Sequence, residues 1–169
     1  VLLDADYTQL RMRKSAEETD WLRIGAALSD AGMRALVAGT RPGMDERELA
    51  ALVESAYVGI GGTTMIHYIG VTAMDAPHLF VPPQLPSTRR VRAGDIVTCE
   101  LSAYWWDYPG QVLRTFTVDA DPTPCYRELH AAAEATFDAV TAVLRHGTTM
   151  EAILEATAEI ERRGCTICD

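Results

Sequence analysis

Residues 94–116 read GDIVTCELSAYWWDYPGQVLRTF. Two alternating runs flank an aromatic segment with Pro109-Gly110, the signature of an antiparallel hairpin. On the first strand Ile96, Thr98, Glu100 and Ser102 share one face, and Val97, Cys99, Leu101 and Ala103 share the other. On the second, Gln111, Leu113, Thr115 and Thr117 lie together. Any antiparallel register that sets even-numbered against odd-numbered residues puts Glu100 and Gln111 on the same side of the sheet. A turn centred between Tyr108 and Pro109, or between residues 105 and 106, meets that condition. Side chains so placed are near enough for one small ligand to touch both. Periodicity alone favours the plainer alternative, a solvated outer face on which Glu100 and Gln111 need no partner.

The surrounding chain sets bounds on what such a hairpin can serve. With 169 residues, 48% of them hydrophobic, there is enough material for one domain with a real core. Lys and Arg number 15 against 24 Asp and Glu, a formal charge of −9 that opposes a phosphate backbone and argues against nucleic acid as a partner. No run of 18 or more apolar residues and no signal-peptide pattern is visible, so the expectation is a cytoplasmic protein with no membrane partner. Four cysteines, Cys99, Cys125, Cys165 and Cys168, are too irregular for a disulfide framework. Cys165 and Cys168 form a CxxC, but neither zinc-partner spacing nor a strand leading into a helix accompanies it.

Upstream, Ser15-Ala-Glu-Glu18 matches a capping box, and Trp21, Leu22, Leu28, Met33, Leu36 and Val37 recur at helical spacing, with Gly39 as the stop. Residues 45–58 predict a second helix headed by acidic residues. From Thr63 to about Met74 the chain reads as one or two strands, and residues 77–94, with Pro77, Pro82, Pro83 and Pro86, as an extended excursion. After the hairpin, a helix from about Cys125 to His146 and another capped by Thr148-Thr-Met-Glu151 and ending at Gly164 are expected. AGTRPGMDERELAALVE is echoed by RHGTTMEAILEATAEIE, a weak internal repeat of helix, turn, helix. In the second copy only CTICD follows, so partner strands are expected beyond it.

These segments resemble, in order, the creatinase/aminopeptidase or pita-bread family. RMRKSAEETDWLR is similar to its helix start, TRPGMDERELAALVE to its Gly-x-Thr-Glu turn, and APHLFVPPQLPSTRRVRAGD to its Pro-His loop leading into Gly-Asp. The hairpin supplies Gly94-Asp95, Glu100, Tyr108, Gln111 and Arg114-Thr115-Phe116. The resemblance implies an α+β pita-bread fold, incomplete here, with helix pairs on a curved antiparallel sheet. Residues 1–13 would be an interdomain connector, and 14–169 the N-terminal part of a catalytic domain that pairs as a homodimer.

In metal-dependent members, two aspartates matching Glu100 and Gln111 bridge two metal ions. Gln111 offers one neutral oxygen and an amino group that a cation cannot use, and Glu100 carries its carboxylate one methylene further out. The expectation is therefore no metal and no other cofactor, with Glu100 and Gln111 binding an organic substrate bearing amidine, amino or carbonyl groups. His78, in Ala76-Pro77-His78, matches the loop histidine that serves creatinase-like members as general acid/base, taking a proton from water and returning it to the departing nitrogen. His67 is a second candidate for substrate binding, although a satisfied strand histidine explains it as well. His130 and His146 fall on helices, and Arg114, on the face opposite Gln111, is assigned to a structural pairing. The implied activity is hydrolysis of a C–N bond in a small molecule or dipeptide, creatinase-like or Xaa-Pro-peptidase-like, although the fragment alone is expected to be inactive. A metal-dependent Xaa-Pro aminopeptidase or prolidase is one alternative, and a catalytically inactive binding module is another.

Overall fold

The computed structural model describes residues 3–79 and 81–166. Its centre is a three-stranded antiparallel sheet in the order β1-β2-β3, formed by Thr63–Ala73, Asp95–Trp105 and Tyr108–Thr117. The parity expected for the hairpin holds: Glu100 pairs with Leu113 and Ser102 with Gln111. The turn itself differs from either expected centre. Trp105 pairs with Tyr108, so Trp106 and Asp107 form the two-residue loop, with φ of 48° and 63°. Positive φ at both positions gives a turn whose twist matches that of the flanking strands.

Pro109-Gly110 looked like the turn but belongs to the strand, because Gly110 has another task. A Cβ there would lie 2.4 Å from the backbone of Ala26, and a Cβ on Gly25 would lie 2.5 Å from the carbonyl oxygen of Tyr108. Two glycines thus let helix α2 (Ala16–Gly39) rest its backbone directly on β3. Between them Ser29, 2% exposed, donates to the carbonyl of Gly110 at 2.8 Å and accepts from the amide of Ala103 at 3.0 Å. A polar side chain is tolerated at this depth because both its capacities are used.

Helix α2 begins where the capping box places it: Ser15 accepts from Glu18 and the Glu18 carboxylate from Ser15. Helix α3 (Glu46–Ser55) has the same device at Asp45 and Glu48 and is followed by a short 3₁₀ turn, Val58–Ile60. Both helices cover the core face of the sheet, α2 over β2 and β3 and α3 over β1, burying Leu28, Leu36, Leu49, Val53, Tyr57, Val97, Cys99 and Leu101 in one core. Burial pushes the Cys99 thiol up to about 11, so it stays an inert apolar contact, beside the sulfur of Met33.

Residues 4–12, read as connector, form helix α1 (Asp4–Met12) with no buried residue. Beyond the sheet, α4 (Pro124–Val143), α5 (Met150–Thr157) and α6 (Glu159–Arg162) pack chiefly on one another. The helix cap expected at Thr148 falls at Thr149, because the Thr148 hydroxyl serves the preceding turn, accepting from Arg145 and donating to Val143. Phe137, Leu144, Met150 and Leu154 remain exposed. The helix–turn–helix of α2 and α3 thus recurs in α4 and α5, although among the described residues only the first pair lies on a sheet. Of the CxxC, Cys168 lies outside the described residues. No helix among the described residues is long and apolar enough to cross a membrane.

Candidate functional site

The even-numbered face of β2 points away from α2 and α3, and on it the strands set three rows of side chains. Tyr68, Glu100 and Leu113 form one row across β1, β2 and β3; Ile66, Ser102 and Gln111 form the next; Gly70, Thr98 and Thr115 lie on the other side of Glu100. Gln111 is thus a diagonal neighbour of Glu100, and its Nε2 donates to Glu100 Oε1 at 2.5 Å. A carboxylate only accepts, so this contact fixes which end of the amide faces it. Among the described residues, one Nε2 hydrogen and the amide oxygen of Gln111 remain for a ligand, as does the second oxygen of Glu100.

The proline-rich excursion forms a wall on this face. Gly70 is where it is seated: a Cβ there would meet Leu79 and Pro83 at 3.0 Å and Pro82 at 3.2 Å. The excursion is held at several points. Glu46, 2% exposed at the start of α3, accepts from Val71 of β1 at 3.0 Å and from Ser87 of the loop at 2.7 Å. Val91 exchanges backbone hydrogen bonds with Gly43 and Met44. Arg89 grips Asp95 with two bonds, at 2.7 and 2.9 Å. Burial alone would raise the Asp95 carboxyl, but Arg89 and the amide of Arg92 outweigh it and hold the group below the usual range. The Gly94-Asp95 pair, read from sequence as part of a motif, therefore clamps the loop.

His78 lies at the start of this excursion and is exposed. It is tied to Thr72, whose side chain shares the face of Glu100: the His78 amide donates to Thr72 Oγ1 at 3.0 Å, and Nδ1 lies 2.8 Å from the same oxygen. Thr72 and Tyr68 are four residues apart, roughly 13 Å along the strand. The structure brings Glu100 and Gln111 together and sets the anchor of His78 at the opposite end of the same face.

His67 is placed elsewhere. It pairs with Leu101 on the core face, across the sheet from Glu100 and Gln111. A register shift between Thr64 and Ile66 interrupts the ladder beside Ser102, and Nδ1 of His67 accepts the Ser102 amide at 3.3 Å. Its Nε2 must then carry the proton and donates to Tyr57 at 2.5 Å. Tyr57 donates to Thr64 at 2.6 Å and Thr64 to Glu54 at 3.2 Å, a chain from the core to the surface. Burial lowers the His67 pKa, which keeps the ring neutral. Arg114 lies on the face opposite Gln111 as expected, but its guanidinium bonds only to the carbonyl of Leu113 among the described residues.

Sequence reasoning missed Tyr68, Thr72 and the wall of Leu79, Pro82 and Pro83. Alternation along β1 does group Tyr68, Gly70 and Thr72, but only the pairing with β2 shows that they share a face with Glu100.

A bridged metal centre does not fit this pair, since an amide N–H points at Glu100 where a shared cation would need a second oxygen. Among the described residues, no three His, Cys, Asp or Glu side chains gather to hold a metal ion.

Comparison with known proteins places this chain in a family. The uncharacterized hydrolase/peptidase y4tL of Sinorhizobium fredii is 26% identical over 148 residues, 87% of this chain and 38% of that protein. The uncharacterized peptidase YqhT of Bacillus subtilis is 26% identical over 142 residues, 82% of this chain and 37% of the other. Dipeptidase PepE from Mycobacterium ulcerans superposes with a TM-score of 0.79 at 28% identity, covering 97% of this chain and 43% of that one. Prolidase from Pyrococcus furiosus gives 0.76 at 25% identity, covering 96% and 47%. X-Pro aminopeptidase from Thermotoga maritima, at 22% identity and a TM-score of 0.78, adds evidence for the pita-bread fold alone. The chain spans less than half the length of each of these relatives. The sequence pattern of metallopeptidase family M24 matches residues 20–165, and the chain belongs to that family.

Proposed function

We propose that this chain forms part of a hydrolase that cleaves a C–N bond in a dipeptide or small amide or amidine without a metal ion. The observation that carries the reading is the hydrogen bond from Gln111 to Glu100. It presents a substrate with a carboxylate beside an amide, a pair suited to an amino or amidine group together with a carbonyl. In this reading Glu100 and Gln111 hold the substrate, and His78 carries the proton that the departing nitrogen requires. Names such as dipeptidase and prolidase among the similar structures support a peptide-like substrate. The acidic balance of the chain supports the absence of a nucleic-acid partner, and a cytoplasmic homodimer completes the reading.

A metal-dependent Xaa-Pro peptidase is the second reading, favoured by membership in a family named for metallopeptidases. Turnover of Xaa-Pro dipeptides, creatine-like amidines and cyclic amidines by the intact protein, assayed with and without a chelator, separates the two. Undiminished turnover in the chelator supports the metal-free reading. Loss restored by added manganese, cobalt or zinc overturns it. No turnover of any substrate, together with thermal stabilisation by one of them, would instead indicate a binding module.

A further inference from the structure

We infer that Thr72 is the positioning residue of His78 and that it makes the resting imidazole a donor at Nε2. This deepens the proposed function and rests on His78 facing the substrate. Thr72 is 2% exposed, and its oxygen accepts the His78 amide while lying 2.8 Å from His78 Nδ1. A hydroxyl has one hydrogen. Among the described residues Nδ1 is the only acceptor bonded to that hydroxyl, so donating to Nδ1 is the arrangement that leaves no buried donor unpaired.

In the neutral ring Nδ1 then carries the lone pair and Nε2 the proton. The amide bond and the ring bond converge on one oxygen, which fixes the backbone of His78 and the direction of its imidazole together. Thr72 itself lies in β1 at the edge where Val71 is tied to Glu46, so the anchor is held by the sheet while the exposed ring faces solvent.

The consequence is a division within the task of His78. The ring at rest offers a hydrogen bond from Nε2 to an acceptor on the substrate, such as a carbonyl oxygen or carboxylate. To take a proton from water at Nε2, the ring proton must first reside on Nδ1, and the Thr72 hydroxyl then loses its acceptor. The hydroxyl thus favours hydrogen-bond donation from Nε2 in the neutral ring; to protonate a departing nitrogen the ring must first gain a second proton and pass through the imidazolium. A ligand with an acceptor at this end and an amino or amidine group at the Glu100 end would satisfy both halves of the face.

Two variants test this. Thr72→Val keeps the shape and the strand preference but removes the hydroxyl, and Thr72→Ser restores it. Ring ¹⁵N shifts of His78, read in alkaline solution with the ring neutral, should show Nε2–H in the parent and in Thr72→Ser. In Thr72→Val they should relax toward the mixture of a free imidazole, with broadened ring signals. In the intact enzyme Thr72→Val should lower kcat by about 10-fold with KM nearly unchanged, and Thr72→Ser should recover it. An Nδ1–H tautomer in the parent, or ¹⁵N shifts identical in Thr72→Val, overturns the inference. If the tautomer responds but His78→Ala retains full turnover, Thr72 still positions the ring, and it is the catalytic role of His78 that fails.

Discussion

The amide nitrogen of Gln111 lies 2.5 Å from a carboxylate oxygen of Glu100, although the two residues are not directly paired across the strands. Replacing that amide by a second carboxylate would set two negative charges on neighbouring positions of one face, an arrangement relieved by a shared cation. Gln111→Asp in the intact protein is therefore expected to bind manganese at least about 10-fold more tightly than the parent, as read by calorimetry. Equal affinities, or a parent protein that purifies with two transition-metal ions per chain, would refute the organic-ligand reading of this pair.

The two ends of the face should give different kinetic signatures. His78→Ala is expected to lower kcat by about 10²- to 10⁴-fold, the range for a lost general acid or base. Gln111→Ala should mainly raise KM, since it contributes binding that is uniform along the reaction. Steady-state rates on a cleaved substrate decide this, and matching losses in both variants count against separate roles.

His67 gives the fold a pH dependence of definite sign. Its pKa is lowered below 6.5 in the folded state by burial, so an unfolded chain takes up the proton first as the solution is acidified. The contribution is complete above that value and declines as the pH falls toward the folded-state pKa. Urea unfolding at about pH 7.5 and about pH 5.5 should show lower stability in acid, and His67→Gln should flatten the difference. An unaltered slope in the variant would show that other groups set it.

Glu46 ties three segments together by accepting two backbone N–H groups while buried. Glu46→Ala leaves both donors unpaired, at a cost of about 2–5 kcal/mol. Chemical denaturation measures this loss, and protease nicking between residues 77 and 94 should accelerate. A loss below about 0.5 kcal/mol would mean that water replaces the carboxylate.

Local chemistry explains what could be read in advance. The Ser15 cap needs only residues 15–18, and strand alternation fixed the shared face of Glu100 and Gln111 whatever the exact turn. The turn was misplaced because Trp106 and Asp107 carry none of the usual glycine or asparagine signal, whereas Pro109-Gly110 carries it for a different reason. Thr72 could not be paired with His78 from sequence, since the pairing depends on the path of the excursion. His67 illustrates the converse: one polar residue in a strand fits either face until the irregularity at Thr64 and Ile66 fixes its side.

Where α2 meets β3, no side chain separates the two backbones at Gly25 and Gly110. Elsewhere in the core a small displacement can be absorbed by a change of rotamer, but at this contact there is none to change. The helix and the hairpin should therefore shift together, with Gln111 the next residue along the strand. A ligand pulling on that amide should slow hydrogen exchange in α2, on the far side of the sheet, while α4 to α6 stay indifferent. Coupling of that kind would rest on two residues that have no side chains to contribute.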